Sequence, residues 1–96
     1  MFEWDPLKAA GNLVKHGVSF EEATTVFQDA QGLDGPDIEH SGVEARRFHL
    51  GRSILGRLVV VAYTMRRQDD EKEAIRIISA RRASGKERRL YQTAED

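Results

Sequence analysis

The spacing of apolar residues predicts a helix over residues 6–16 with one apolar stripe. The stripe consists of Leu7, Ala10, Gly11 and Val14. Asp5 has the position of an N-cap, and Pro6 suits the first helical position. Gly17 is placed to end the helix in a left-handed conformation.

A second helix is predicted to begin after a two-residue turn. Ser19 and Glu22 have the S-x-x-E spacing of a capping box, and the helix continues to about Gln28. The residues that line one face of it are Phe20, Ala23, Thr24 and Phe27. The two capped segments therefore form a helical pair.

Alternation with a period of two predicts the strands of a sheet. Residues 2–4, "FEW", form a short first strand, and Phe48 and Leu50 alternate with polar neighbours in another. The segments "RLVVVAYTMR" (57–66) and "AIRIISAR" (74–81) predict two more strands. The first of these two is apolar enough to be central in the sheet.

A loop and a closing helix complete the predicted order. The loop between the helices and the later strands is expected to hold a short strand near Leu33 or Ile38. Ser84 and Glu87 form a further capping box for a helix that runs toward Tyr91. The order β-α-α-(β)-β-β-β-α predicts one α+β domain over all 96 residues, with three strands joined by hairpins.

If the hairpin turns are tight, the alternation assigns the strand residues to two faces of the sheet. The face that packs on the helices is predicted to carry Phe48, Val59, Val61, Tyr63, Ile75 and Ile77. The other face is predicted to carry Arg47, His49, Thr64, Arg66 and Arg76. A shift of one residue in either hairpin exchanges these sets. In both cases several guanidinium groups from neighbouring strands meet on one surface.

Charge is distributed unevenly along a chain whose formal net charge is −1. Residues 1–44 contain nine acidic residues and two lysines, whereas residues 45–96 contain thirteen basic and seven acidic residues. This polarity favours an anionic partner, either RNA, DNA or another phosphate ligand. The alternative is that the two halves neutralise each other on a mixed surface.

Converging arginines suit phosphate chemistry. A guanidinium group stays protonated and binds phosphate oxygens through a planar fork of donors. When an RNA 2′-hydroxyl attacks the neighbouring phosphate, charge builds on the non-bridging oxygens, and fixed arginines stabilise that transition state. The first amides of the closing helix, at Ser84 to Lys86, are a second candidate site for an anion.

The other candidate groups each have a structural alternative. The histidines that could act as acid or base are His16, His40 and His49. His16 also suits the end of a helix, where a cation interacts favourably with the dipole. Tyr63 and Tyr91 are candidate proton donors that also fit ordinary packing. Arg81 and Arg82, at the last strand's end, suit either catalysis or charge pairing with the acidic half.

Several classes of function have no support in the sequence. There is no cysteine, no cluster with metal-ligand spacing and no Walker, G-x-G-x-x-G or G-x-S-x-G motif. The acidic run Asp69, Asp70, Glu71 and Glu73 fits a polar turn. No apolar run approaches the ~20 residues that cross a bilayer, and no signal peptide is recognisable, so a cytoplasmic location is expected.

Three stretches, taken in order, resemble the BrnT family of type II toxin–antitoxin toxins. They are "FEWDPLKAAGNLVKHGVSFEEATTVF", "DIEHSGVEARRFHLGRSILGRLVVVAYTMR" and "RIISARRASGKERRLY". The most specific parts are "KHGVSFEEA", the paired "GR" before the long strand, and "RIISARRAS" followed by "ER". The similarity extends from Phe2 to Tyr91.

This resemblance implies a RelE-like fold, with two N-terminal helices and a C-terminal helix packed on a small antiparallel sheet. It implies RNA cleavage that blocks translation, with no metal or other cofactor. It also implies neutralisation by a BrnA-type antitoxin in a hetero-oligomer. That antitoxin carries a ribbon-helix-helix part, through which the complex binds operator DNA.

On this resemblance the catalytic residues are expected to be Arg81, Arg66 and His16. The RNA-binding residues are expected to be Lys15, Arg47, His49, Arg76, Arg82 and Lys86. Two other hypotheses stay open. One is a non-catalytic module whose basic face binds an acidic antitoxin, and the other is a domain that binds a small phosphorylated ligand.

Overall fold

A computed structural model describes residues 1–39, 45–67 and 72–95 of the chain. The helices of this described part are α1 (Pro6–His16), α2 (Phe20–Val26) and α3 (Gly85–Glu95). The strands are β1 (Phe2–Glu3), β2 (Leu33–Pro36), β3 (Arg46–Arg52), β4 (Leu58–Arg67) and β5 (Glu73–Arg82). The predicted α+β class and element order are confirmed. No described helix is long and apolar enough to cross a membrane.

The strands form one mixed sheet in the order β1-β5-β4-β3-β2, with β4 at its centre as predicted. Strands β2 to β5 pair antiparallel, but β1 pairs parallel with β5, with Phe2 beside Ile75. The expectation of a wholly antiparallel sheet was therefore wrong at this edge. Parallel neighbours need a crossover connection, and every element from α1 to β4 lies between these two strands.

Helix α1 begins and ends where predicted, but the side of the helix that faces the sheet is not the predicted one. The Asp5 side chain accepts a hydrogen bond from Leu7 N, and Gly17 has a φ of 69°. The predicted apolar stripe faces solvent, since Leu7 is 83% exposed and Val14 is 89% exposed. The buried side of the helix instead carries a polar residue, Asn12.

Asn12 explains the orientation of α1. Its amide donates to the carbonyl oxygens of Val18 at 2.9 Å and Ala80 at 2.8 Å, and its oxygen accepts from Ala80 N at 3.1 Å. One buried side chain thus satisfies backbone groups in β5 and in the turn between the helices. Because buried backbone groups without partners are costly, these bonds decide which side of α1 faces the sheet.

Helix α2 begins with the predicted cap, in which Glu22 N donates to Ser19 Oγ at 2.9 Å. The Glu22 carboxylate has another use. It is buried, and it accepts hydrogen bonds from Ser53 Oγ at 2.6 Å and from the Arg57 guanidinium. These bonds lower the pKa of Glu22, chiefly through Arg57. The same carboxylate therefore attaches α2 to the turn between β3 and β4.

Two hydrophobic clusters lie on opposite faces of the sheet. Helices α1 and α2 cover the first face, which we call the α1/α2 face; its buried residues are Val18, Phe20, Ala23, Val26, Val59, Val61, Ile77 and Ala80. Helix α3 covers one end of the second, the α3 face, where Tyr91 packs with Leu50, Leu58 and Val60. Tyr91 is 2% exposed, and its hydroxyl donates to Asp29.

The register of β3 differs from the predicted one. Ser53 N donates to Arg57 O across the turn, and His49 pairs with Val61 while Phe48 pairs with Ala62. His49 and its neighbour Arg47 therefore lie on the α1/α2 face, and Phe48 lies on the α3 face. This is the one-residue shift that exchanges the faces of a strand.

The face predicted for the other strands is correct, but β5 contains a β-bulge. Ser79 pairs with Ala62 and Ile77 pairs with Tyr63, so Ile78 is an extra residue on β5. Arg76 and Arg81 are an odd number of positions apart, which in a regular strand places them on opposite faces. The bulge places both on the α3 face.

Replacing Asn12 with alanine tests this account of α1. We expect the free energy of unfolding to fall by about 2–4 kcal/mol, because buried groups of Val18 and Ala80 lose their partners. Val14→Ala, on the exposed side of the same helix, should change it by less than about 0.5 kcal/mol. Urea denaturation measures both variants, and equal losses would contradict the orientation.

Candidate functional site

Five side chains from four strands meet on the α3 face, at the end of the sheet away from Tyr91. We call this surface the arginine patch; it consists of Glu3, Arg46, Thr64, Arg66 and Arg76. Arg66 is two residues after Thr64 and lies on the same face of β4. Phe2 and Trp4 pack in the core on the α1/α2 face, so Glu3 between them lies on the α3 face.

Strand pairing places four members of the patch in one row across the sheet. Arg46 is opposite Thr64, Thr64 is opposite Arg76, and Arg76 is beside Glu3. Neighbouring strands lie about 4.8 Å apart, so adjacent side chains in this row are within reach of each other. The Glu3 carboxylate lies 3.9 Å from Arg76 Nη1 and 3.9 Å from Arg66 Nε.

The patch has the chemistry of a phosphate-binding surface. The side chains of Arg66 and Arg76 are 46% and 31% exposed, so both can contact a ligand. Thr64 is 4% exposed, and its hydroxyl has no hydrogen-bond partner among the described residues. An unsatisfied buried hydroxyl is uncommon, and once the side chains that cover it move aside an oxygen of a bound ligand could accept its hydrogen bond.

Arg81 lies on the same face but at the α3 end. Its guanidinium binds the Glu87 carboxylate through two parallel hydrogen bonds of 2.7 and 2.9 Å. This pairing with Arg81 lowers the pKa of Glu87 to about 2. Arg81 and Arg76 pair with Val60 and Thr64, which are four positions apart on β4, so they are about 13 Å apart at about 3.3 Å per residue. The guanidinium of Arg81 therefore stabilises the start of α3 and is separate from the arginine patch.

The amides at the start of α3 are not an open anion site. Ser84 N donates to Glu87 Oε1 at 2.8 Å, and Glu87 N donates to Ser84 Oγ at 3.2 Å. The predicted capping box is thus confirmed, and its own carboxylate occupies the position proposed for an external anion. Lys86 is exposed in the first turn of this helix.

The remaining predicted site residues lie on the other side of the sheet. Lys15 and His16 end α1, which packs on β5 from the α1/α2 face. Arg82 is opposite Val59 and points to that same face. Of the predicted site residues, only Arg66 and Arg76 lie in the arginine patch. His40, Asp69, Asp70 and Glu71 lie outside the described residues.

Arg47 and His49 belong to a cluster around Asp34, together with Tyr63. The Asp34 carboxylate accepts hydrogen bonds from Arg47 Nε at 2.6 Å and from the Tyr63 hydroxyl, and it lies 2.9 Å from His49 Nδ1. Burial alone would raise the pKa of Asp34, but these bonds outweigh it and lower the pKa. Burial, with Asp34, raises the pKa of Tyr63 to about 12.

This cluster fixes the edge strand β2 and does not form an accessible acid–base site. The His49 ring stacks on Phe27 at a centroid distance of 4.6 Å, and its Nε2 is buried without a partner among the described residues. A Cβ atom at Gly32 would lie 2.7 Å from that nitrogen, so the backbone there covers it. A substrate therefore has no path to the second nitrogen of His49.

The described part of the chain contains no group of three His, Asp or Glu side chains that could hold a metal ion. The sequence has no cysteine. The arginine patch itself carries guanidinium, hydroxyl and carboxylate groups.

Glu3, Arg46 and Thr64 are the members of the patch that were not among the predicted site residues, although Thr64 was predicted on the correct face. The pattern of "FEW" contained a signal for Glu3, because core positions for Phe2 and Trp4 leave Glu3 on the opposite face. Arg46 was missed because the register of β3 was assigned one residue out. The parallel pairing of β1 with β5 has no signal in the local sequence.

Comparison with known proteins gives the following matches. A family model described as "Ribonuclease toxin, BrnT, of type II toxin-antitoxin system" matches residues 4–87. The fold is similar to the 1.1 Å crystal structure of the Brucella abortus ribonuclease toxin BrnT, with a TM-score of 0.62 and 21% sequence identity. The similarity covers 86% of this chain and 95% of that chain. No curated protein matches the sequence.

Arg66→Ala should weaken the binding of a single-stranded RNA oligonucleotide. Each phosphate contact that is lost lowers the slope of log K against log salt by about 0.7. Arg67→Ala is a matched control, because Arg67 is the next residue on β4 and points to the opposite face. Fluorescence anisotropy over a salt series measures both variants. Equal effects would show that the patch is not the RNA surface.

The pair of Arg81 and Glu87 predicts a loss of stability in acid. The pKa of Glu87 is about 2 in the folded chain and near 4.5 when unfolded, so the unfolded state binds more protons between these values. The contribution is complete above about pH 5 and is lost as the pH falls toward 2. We expect Glu87→Gln to remove about 2 kcal/mol at neutral pH, after allowing for solvent screening of this partly exposed pair.

Urea denaturation at pH 7 and pH 3 measures this difference. The gap in stability between wild type and Glu87→Gln should shrink at pH 3. Other carboxyl groups with lowered pKa, such as Asp34, titrate in both proteins and cancel in the comparison. A gap that is the same at both pH values would contradict the assignment.

Proposed function

Because this chain belongs to the BrnT family of ribonuclease toxins of type II toxin–antitoxin systems, we propose that it is an endoribonuclease whose arginine patch binds the cleavage site of the RNA. The observation that carries the proposal is the patch itself. It combines Arg66 and Arg76 from adjacent strands with the Thr64 hydroxyl, which has no partner among the described residues, on a part of the sheet that α3 does not cover.

We propose that cleavage is an intramolecular transfer that requires no metal. The 2′-oxygen of one nucleotide bonds to the adjacent phosphorus, and the bond from phosphorus to the 5′-oxygen breaks. The products are a 2′,3′-cyclic phosphate and a 5′-hydroxyl end. Guanidinium groups aimed at the non-bridging oxygens stabilise the developing charge, and losing one such donor typically costs about 10²–10³ in kcat.

The roles proposed from the sequence change for some residues. Arg66 and Arg76 keep roles in binding and charge stabilisation. Arg81 is committed to Glu87, so we propose that it positions the start of α3 and does not contact the phosphate. His16 lies on the α1/α2 side of the sheet, away from the arginine patch, and we propose no catalytic role for it.

A type II toxin acts together with an antitoxin. We propose a BrnA-type partner that covers the arginine patch, joins the chain in a hetero-oligomer and binds operator DNA through a ribbon-helix-helix part. In this proposal the fold is related to the RelE toxins, and the toxin acts in the cytoplasm by cleaving RNA needed for translation.

A non-catalytic binding module is the second candidate. The observation in its favour is that several arginines already have carboxylate partners in the fold, including Arg47, Arg57 and Arg81. Such a protein would bind the antitoxin and support repression, without cleaving RNA.

Expression and RNA cleavage distinguish the two candidates. We expect induced expression to arrest growth, and the purified chain to cleave labelled RNA in EDTA to products with 2′,3′-cyclic phosphate ends. Arg76→Ala should reduce the cleavage rate about 10²–10³-fold. Arg67→Ala is the control and should retain nearly full activity.

Circular dichroism shows whether each protein is folded, so that a loss of activity can be assigned to the changed side chain. A folded wild-type chain that neither arrests growth nor cleaves RNA would support the binding module. Cleavage that EDTA abolishes and added metal restores would refute the metal-independent mechanism while leaving the ribonuclease activity in place.

A further inference from the structure

The proposed cleavage needs a group that removes the proton of the 2′-hydroxyl. We propose that Glu3 is this general base, and that the scissile phosphate binds over Thr64 between Arg46 and Arg76. This inference rests on the proposed function and assigns the reaction centre within it.

The first argument is the position of Glu3 at one end of the cross-strand row. The row runs from Arg46 through Thr64 and Arg76 to Glu3. A phosphate over Thr64 has an arginine from the neighbouring strand on each side. The backbone of Glu3 then lies about two strand spacings, or about 10 Å, from that of Thr64 across the sheet, a distance that the side chains and one ribose can span.

The second argument is the state of the Glu3 carboxylate. It is 32% exposed, and its described contacts are two ion pairs at 3.9 Å, both longer than a hydrogen bond. In the described part of the chain it accepts no hydrogen bond. Four other carboxylates each accept two or more; they are Glu22, Asp29, Asp34 and Glu87. Glu3 therefore has lone pairs available for an incoming hydroxyl.

The third argument is the unsatisfied hydroxyl of Thr64. It is one of two buried side-chain polar atoms without a partner in the described residues; the other is His49 Nε2, behind the sheet. The Thr64 hydroxyl lies on the row, with an arginine on each neighbouring strand. A phosphate oxygen that reaches it, once the side chains that cover it move aside, would accept its hydrogen bond, and buried polar groups of this kind otherwise cost stability.

Among the described residues, the other candidate bases are less suitable. His16 and His49 lie on the α1/α2 side of the sheet. Asp37 lies at the far end of the row, where its backbone N–H donates to Arg46 O at 2.8 Å, but it is only 4% exposed. A ribose hydroxyl can reach Glu3 without disturbing the fold, whereas Asp37 is enclosed.

The step balances without a further reactant except water. Glu3 takes the proton of the 2′-hydroxyl, and the 2′-oxygen uses its electron pair to bond to phosphorus. The 5′-oxygen leaves with the electron pair of its bond to phosphorus and takes a proton from water. Arg46 and Arg76 neutralise the charge on the non-bridging oxygens.

Glu3→Gln tests the assignment, because it keeps the shape of the side chain and removes the base. We expect the single-turnover cleavage rate in EDTA to fall about 10²–10⁴-fold. RNA affinity should be unchanged or slightly tighter, since a negative charge leaves the patch. Glu21→Gln, at an exposed position of α2, is the matched control with the same change of charge and should cleave like wild type.

Chemical rescue gives a second measurement that loss of structure cannot mimic. Glu3→Ala leaves a space in which a small carboxylate can act, so added formate or acetate should raise its cleavage rate in proportion to concentration. The same salts should not raise the rate of wild type. Asp37→Asn should remain active, because the proposed base is Glu3 and not Asp37.

The outcomes distinguish this inference from the proposed function. If wild type cleaves RNA and Glu3→Gln cleaves within about three-fold of it, Glu3 is not the base and the ribonuclease function stands. A slow Glu3→Gln, together with a Glu3→Ala that carboxylates do not rescue, would also overturn the assignment and leave only a structural role. If wild type does not cleave RNA, both the function and the base are refuted.

Discussion

The central strand β4 changes from apolar to polar along its length, and the arrangement of the fold depends on this change. From Leu58 to Tyr63 its side chains are buried on both faces, so the sheet needs cover from both sides there. The helical pair covers one side and Tyr91 of α3 covers the other. From Met65 onward the strand is exposed. The arginine patch lies where the central strand no longer requires a helix above it.

Local signals in the sequence accounted for most of the secondary structure. Caps such as Asp5 and Ser19 satisfy backbone groups within one turn of helix, so they are visible without knowledge of the fold. The orientation of α1 could not be read in this way. It depends on hydrogen bonds from Asn12 to Ala80, which is 68 positions away in the chain, and these outweigh an apolar stripe on the other side.

The candidate site was only partly predictable, because the sequence shows where arginines are and not which ones have partners. Acidic residues of the first half of the chain form ion pairs with arginines of the second half, for example Glu22 with Arg57 and Asp34 with Arg47. Arg66 and Arg76 were placed on the correct face by alternation alone. Arg81 was the first choice for a catalytic residue, but its guanidinium makes a bidentate contact with Glu87.

The bulge at Ile78 has a consequence for how this strand can vary in sequence. The two segments of β5 that it separates have opposite phase, so each has its own inward and outward positions. Loss of one residue at the bulge would remove the irregularity and leave Ile75, Ile77 and Ala80 on the α1/α2 face, because regular alternation would then run through the whole strand. Insertion of one residue into a regular part of β5 would instead turn one segment over and exchange core residues with basic side chains. The bulge is therefore the point at which β5 can shorten by one residue without exchanging its two faces.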